Sequence, residues 1–234
     1  MNTWGRTVGI VLAAGEATRL PNKPLLPTLG NHIAIESSLA LLQHCDETIV
    51  VIRNGSLLPD VADLRGPKNG WPRYTRWQIQ DGEGVSAGIR SGVQSLKDDE
   101  MCVVAFCDNV YPHTDRDILN KYLKLPSSVW PRYMTVRKPH NFLTSELDYW
   151  NELSQQWHTR SGGYHHPSSW AMAGFVIAAA GILKQAAGTL VSTLNTLNFK
   201  PIFMPQEAGN GESWFDLGTT DSYRHYLKES MREV

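Results

Sequence analysis

The chain has 234 residues, 41% of them hydrophobic and 19% charged, which is the balance of one large soluble domain with a sizeable buried core. Its 22 Lys and Arg against 23 Asp and Glu leave a formal net charge of -1, with no basic tail or stripe of the kind that binds nucleic acid. Cys45, Cys102 and Cys107 form no CxxC pair, which argues against a disulfide framework and a zinc site; the first nine residues lack a signal-peptide pattern and no run of about 18 apolar residues occurs, so the expectation is a cytoplasmic protein, neither exported nor membrane-spanning.

Residues 7–13 are an apolar, β-branched run ending at Gly15, the pattern of a strand buried on both faces and followed by a loop. Residues 33–42 carry Ile35, Leu39 and Leu42 at helical spacing, and 47–52 form a second β-branched run, completing a βαβ unit. Residues 55–71, rich in Gly, Pro and Asp, read as a loop, and 74–79 as a third strand. Ile89, Val93 and Leu96 share a helical face within 85–96, and 101–107 is a short apolar run ending at Asp108. A helix over 115–125, capped by Thr114, and a strand over 133–137 follow. Residues 138–169 are aromatic, polar and irregular, so an inserted lobe is expected there. A strand over 170–178, a helix over 181–187, short strands over 200–204 and 213–215, and a final helix over 220–229 capped by Thr219 or Thr220 complete the chain. The alternation predicts a single α/β domain: a mainly parallel open sheet with helices on both faces, regular over residues 1–137 and interrupted in 138–234.

In such a sheet the ligand site lies beyond the carboxyl ends of the strands, so the residues after each apolar run carry the functional information. The first is LAAGEATRLPNKPLL, from Leu12 to Leu26. Small residues at Ala13, Ala14 and Gly15 let backbone N–H groups approach an anion, and Arg19 and Lys23 add two cations, a combination suited to a triphosphate. A P-loop is excluded because the Gly-to-Lys distance is too long and Pro24 stands where Ser or Thr should bind Mg²⁺, and no G-x-G-x-x-G follows the strand. The string resembles the L-A-[AG]-G-x-G-[ST]-R motif, with a spacer and K-P, of nucleotidyltransferases of glycosyltransferase-A-like, Rossmann-like fold. Leu12, Ala13, Ala14, Gly15, Thr18, Arg19, Lys23 and Pro24 match, whereas Ala17 stands where the family has Gly and the spacer is short. The resemblance implies that Leu12 to Gly15 wrap the triphosphate, that Arg19 neutralises its phosphates and that Lys23 holds the transferred or acceptor phosphate.

Two more segments extend the resemblance. VVAFCDN, Val103 to Asn109, resembles the family's strand ending in a metal-binding Asp, and WFDLGTTDSY, Trp214 to Tyr223, resembles W-x-D-[VIL]-G-T-P-x-x-[YL] from the sugar-nucleotide branch. Together they imply a Mg²⁺ site at Asp108 and Asp216, and Mg²⁺ takes one or two carboxylates plus phosphate oxygens. QDGEGVSAG, Gln80 to Gly88, resembles the base-binding loop and implies nucleotide contacts from Gln80, Gly84 and Ser86. WAMAGF, Trp170 to Phe175, resembles the stretch lining the acceptor pocket and adds Gly174, with Ala173 in place of the usual polar residue. The adjacent His165 and His166 read as loop polarity, and Cys102 and Cys107 as small core residues.

The expectation is a Mg²⁺-dependent nucleotidyltransferase with Arg19 and Lys23 as catalytic cations. It would move a nucleoside monophosphate from a nucleoside triphosphate to a small phosphorylated acceptor such as a sugar 1-phosphate and release pyrophosphate. A phosphorylated alcohol, an amino-acid-like molecule or a cofactor precursor as acceptor, with a cytidylyl or guanylyl group transferred, is the alternative, and a nucleotide-binding regulatory subunit without turnover is a third. No nucleic-acid or membrane partner is expected, and homo-oligomerisation stays open.

Overall fold

The computed structural model describes residues 5–15, 22–29, 32–65, 75–124, 131–138, 147–159, 168–205 and 214–230. In chain order its elements are β1 (Thr7–Leu12), α1 (Ala34–Leu41), β2 (Glu47–Ile52), α2 (Leu58–Arg65), β3 (Thr75–Ile79), α3 (Gly84–Val93), β4 (Met101–Phe106), β5 (Asn109–Val110), α4 (His113–Leu123), β6 (Arg132–Arg137), β7 (Tyr149–Asn151), β8 (Gln156–His158), β9 (Ser169–Ala179), α5 (Ala180–Leu183), α6 (Leu190–Thr196), β10 (Lys200–Phe203), β11 (Phe215–Asp216) and α7 (Thr220–Ser230). No described helix is long and apolar enough to cross a membrane.

The main sheet runs β10-β6-β9-β4-β1-β2-β3, with β9 antiparallel to both its neighbours and every other pair along the path parallel. The carboxyl ends of β1, β2, β3 and β4 therefore share one edge. The strands read as continuous apolar runs because both faces are covered. Val8, Ile10, Cys102 and Val104 face a core completed by Ile89 and Val93 of α3 and Leu194 of α6. Val11, Met101, Val103 and Ala105 face the opposite core with Leu39 of α1 and Leu119 of α4. A third, smaller cluster joins Leu26, Ala34, Val110, Phe215, Leu217, Tyr223 and Tyr226.

Several sequence expectations are corrected. Residues 55–71 are not all loop: α2 forms because Leu58 is buried and Val61 and Ala62 pack against the second core, so tertiary burial overrides a breaker-rich composition. Within 138–169 the described residues include a β7-β8 hairpin, and β7 pairs with β9 as an extension of the main sheet. Trp150 and Trp157 anchor it, each 2% exposed. Helix α4 begins at His113 after Pro112, so Thr114 lies inside it and does not cap it. Residues 181–187 give only the one-turn α5, and the unforeseen α6 starts at Thr189, whose side chain accepts the Ser192 N–H. For α7 the cap is Thr219, whose Oγ1 accepts the Ser222 N–H at 3.1 Å.

Candidate active site

A cleft of about 540 Å³ opens over the shared carboxyl edge of the strands, lined by Leu12, Ala13, Ala14, Gly15, Lys23 and Asp108 among others. The chain leaves β1 in a fixed direction because the Ala13 N–H donates to Val51 O at 2.8 Å and the Arg53 Nε donates to Ala14 O at 2.6 Å. Asn22, at φ 54°, takes the left-handed conformation that Asn tolerates and starts a 3-10 turn over Lys23–Leu25. The Leu25 N–H closes on Asn22 O at 2.8 Å, and from this turn Lys23 Nζ donates to Asp108 Oδ2 at 3.4 Å. Lysine and aspartate, 85 positions apart, thus form one charged pair at the end of β4.

The loop between β3 and α3 forms another part of the wall. Gly82 and Gly84 hold φ of +85° and +80°, a region glycine enters without a Cβ penalty. Gln80 Nε2 donates back to the carbonyls of Gly82 and Gly84 at 2.9 and 3.3 Å. A Cβ on Gly88 would lie 2.9 Å from Gln80 Oε1, so glycine there makes room for that side chain. Gln80 and Gly84 line the cleft. Ser86 does not: it is buried, and its hydroxyl bonds Thr193 Oγ1 at 2.9 Å in the contact between α3 and α6. The expected nucleotide contact from the Ser86 side chain is corrected to a helix-to-helix bond.

A second cavity of about 380 Å³ adjoins the first, and Val85, Phe106 and Asp108 line both. Its other walls include Asn109, Asp148, Gly174, Trp214 and Asp216. Asp216 arrives there through the two-stranded β5-β11 ladder, in which it faces Asn109, and the Leu217 N–H donates to Asp108 O at 2.7 Å. Asp216 Oδ1 accepts the Gly218 N–H at 2.8 Å, while Asn109 Nδ2 donates to Asp108 Oδ1 at 3.2 Å and its Oδ1 accepts Trp214 Nε1 at 3.2 Å. Behind the cavity, the Tyr111 hydroxyl accepts the Phe106 N–H and donates to Gly174 O at 2.9 Å, tying β4 to β9. Burial pushes the Cys107 thiol, beside Asp108, well above its ordinary range, so it stays protonated as a core residue.

The fold therefore brings Leu12, Ala13, Ala14, Gly15, Lys23, Gln80, Gly84, Asp108, Gly174 and Asp216 to two adjoining cavities. Arg19, Ala17 and the His165-His166 pair lie outside the described residues. Asp108 and Asp216 offer hard oxygen donors from neighbouring strand ends, a set that fits one Mg²⁺ whose remaining ligands are phosphate oxygens and water; among the described residues no group of three or more potential metal ligands occurs. Sequence reasoning missed Arg53, Glu83, Asn109, Asp148 and Trp214, all of which line these cavities. Inspecting the residue after every strand reaches Arg53, which follows β2 as Asp108 follows β4 by one further position. Asp148 carried no signal, because the strand it precedes is only three residues long.

Comparison with known proteins agrees with this architecture. Two solved structures superpose over nearly the whole chain. One, from Bacillus anthracis, is assigned as a glucose-1-phosphate thymidylyltransferase in complex with a sucrose; it has TM-score 0.75, 18% identity and coverage of 95% of this chain and 94% of that one. The other is a UDP-glucose pyrophosphorylase complexed with UDP-glucose, with TM-score 0.72, 16% identity and coverage of 98% and 100%. At these identities the likeness is one of fold. No curated protein sequence matches the chain significantly. The model of the MobA-like NTP transferase domain matches residues 9–166, well over half of the chain, and the chain belongs to that family.

Proposed function

We propose that the protein transfers a nucleoside monophosphate from a nucleoside triphosphate to a small phosphorylated acceptor, a sugar 1-phosphate in the first instance, and releases pyrophosphate. The observation that carries this reading is that Lys23 and Asp216, from distant segments, line two adjoining cavities whose shared wall holds Asp108, the partner of Lys23. The larger cavity, floored by the small residues after β1, takes the triphosphate, and the smaller one takes the acceptor. The crystallised proteins of like fold, named for glucose-1-phosphate thymidylyl transfer and for UDP-glucose, support a sugar phosphate there.

An acceptor phosphate oxygen attacks the α-phosphorus, a new P–O bond forms, and the bond to the bridging oxygen breaks so that pyrophosphate leaves with the electron pair. A phosphate monoester is ionised at neutral pH, with its second pKa near about 6, so no general base is required. Lys23, which lines the larger cavity and reaches Asp108 on the wall of both, holds the phosphates in reach of each other and neutralises charge as it shifts between them. Arg19, by family resemblance, binds the triphosphate. Asp108 and Asp216 are the residues to hold Mg²⁺, which supplies Lewis-acid neutralisation of phosphate oxygens when bound.

The test is a matrix of ATP, GTP, CTP, UTP and dTTP against pooled sugar 1-phosphates, phosphorylated alcohols and other phosphorylated metabolites, with Mg²⁺ and with pyrophosphate release as the signal. Release that requires one triphosphate and one acceptor class is expected. Triphosphate binding with no release across the matrix would instead favour a regulatory subunit.

A further inference from the structure

Arg53 lies immediately after β2 and lines the larger cavity with Lys23 and Asp108, yet it belongs to none of the motifs in the sequence. Its Nε donates to the carbonyl of Ala14 at 2.6 Å, across 39 positions of chain. Ala14 is buried, and a Cβ on Gly15, the next residue, would meet nothing within 4 Å among the described residues, while both line the larger cavity. No cis peptide occurs among the described residues, and in a trans peptide the C=O and the following N–H point to opposite sides. A carbonyl held toward Arg53 fixes the Gly15 N–H on the opposite side of the peptide, in a residue that itself lines the cavity.

From this we infer that Arg53 is a positioning residue for the triphosphate: through its Nε it fixes the Ala14-Gly15 peptide so that the Gly15 N–H is preorganised as a phosphate donor, and its guanidinium adds positive charge to the same wall. The inference rests on the reading of the larger cavity as the triphosphate site. It assigns a phosphate role to a residue that lies far from the first loop in sequence. An arginine suits this task because one planar fork bonds a carbonyl at one edge and keeps further N–H donors in fixed geometry. A lysine carries the charge without that fork.

The test compares wild type with Arg53→Met and Arg53→Lys by calorimetric titration with the triphosphate that binds best and with its nucleoside, alongside melting temperature and hydrogen exchange of the peptide covering residues 10–16. Arg53→Met should weaken triphosphate binding about tenfold or more, as loss of a charge-assisted contact does, leave nucleoside binding unchanged, and speed exchange in 10–16 at an unaltered melting temperature. Arg53→Lys should recover only part of the affinity and none of the exchange protection. Full recovery by lysine would overturn the positioning role and leave charge alone. Equal losses for nucleoside and triphosphate would make Arg53 a base contact and overturn it as well. Wild type that binds triphosphate but releases no pyrophosphate would defeat the proposed reaction and leave this assignment standing, whereas wild type that binds no triphosphate would defeat both.

Discussion

Lys23 sits where the chemistry of the two cavities has to meet. Its ammonium reaches Asp108, which lines both cavities, while its own side chain is 13% exposed. A cation in that position acts most strongly when negative charge moves from one phosphate to another, so it stabilises the transition state more than the bound triphosphate. Lys23→Ala should therefore lower kcat for pyrophosphate release by about a hundredfold, equivalent to roughly 2.7 kcal/mol, while triphosphate affinity measured by calorimetry changes far less. A solvated lysine at the surface would alter neither quantity beyond about 0.5 kcal/mol. Lys23 and Asp108 were legible in the sequence because each follows a strand in a recognisable string. Their pairing was not, because it depends on the turn begun by Asn22, whose left-handed conformation leaves no periodic trace. Arg53 stood outside every string, and only the hydrogen bond to Ala14 reveals its place.

Among the elements, β9 carries the tightest constraint on the acceptor side. Gly174 has φ +125°, and a Cβ there would lie 2.3 Å from Thr135 Oγ1. That hydroxyl accepts the Phe175 N–H at 2.7 Å and donates to Ala173 O at 2.8 Å, across the register shift between β6 and β9. Gly174→Ala would strain the backbone and drive Thr135 from its bonds, so the protein should lose about 2–4 kcal/mol of stability, read as a lower melting temperature. Thr219→Ala should cost less, about 1 kcal/mol, because it removes only the cap of α7. A denaturant titration ranks the two, and a smaller loss for Gly174→Ala than for Thr219→Ala would contradict the packing described. The long strands β1, β2 and β4 were readable from their apolar runs. The two-residue β5 and the β7-β8 hairpin were not, since strands that short are set by their partners; β11, expected over 213–215, falls at Phe215–Asp216, and α2 was hidden by a composition that packing overrides. The motif around Asp216 was readable, but only the β5-β11 ladder explains how Asp216 comes opposite Asn109, the residue after Asp108.

At the scale of the molecule, two devices tie distant segments of the chain together. The small third core gathers Leu26 after the Lys23 turn, Val110 after Asp108, Phe215 and Leu217 around Asp216, and Tyr223 and Tyr226 of α7; Tyr226 OH accepts the Leu29 N–H at 3.1 Å and Tyr223 OH donates to Pro27 O at 2.9 Å. The other device is the buried ion pair between Asp115 of α4 and Arg137 of β6, with Arg137 also donating to Pro205 O. Burial raises the Asp115 carboxyl above its ordinary range and the Arg137 charge opposes that rise. Removing one partner would strand the other charge, so Asp115→Leu or Arg137→Met alone should cost about 3–5 kcal/mol, and the double variant clearly less than the sum of the two. Additive losses in denaturant titrations would contradict that coupling. In the proposed reaction Asp108 and Asp216 hold the metal, and the most direct test is Mg²⁺-dependent pyrophosphate release by wild type and Asp216→Asn, assayed together with the best triphosphate and acceptor. Wild type should turn over and the variant should fall by about a hundredfold or more at unchanged melting temperature; equal rates in the two proteins would rule out that role for Asp216.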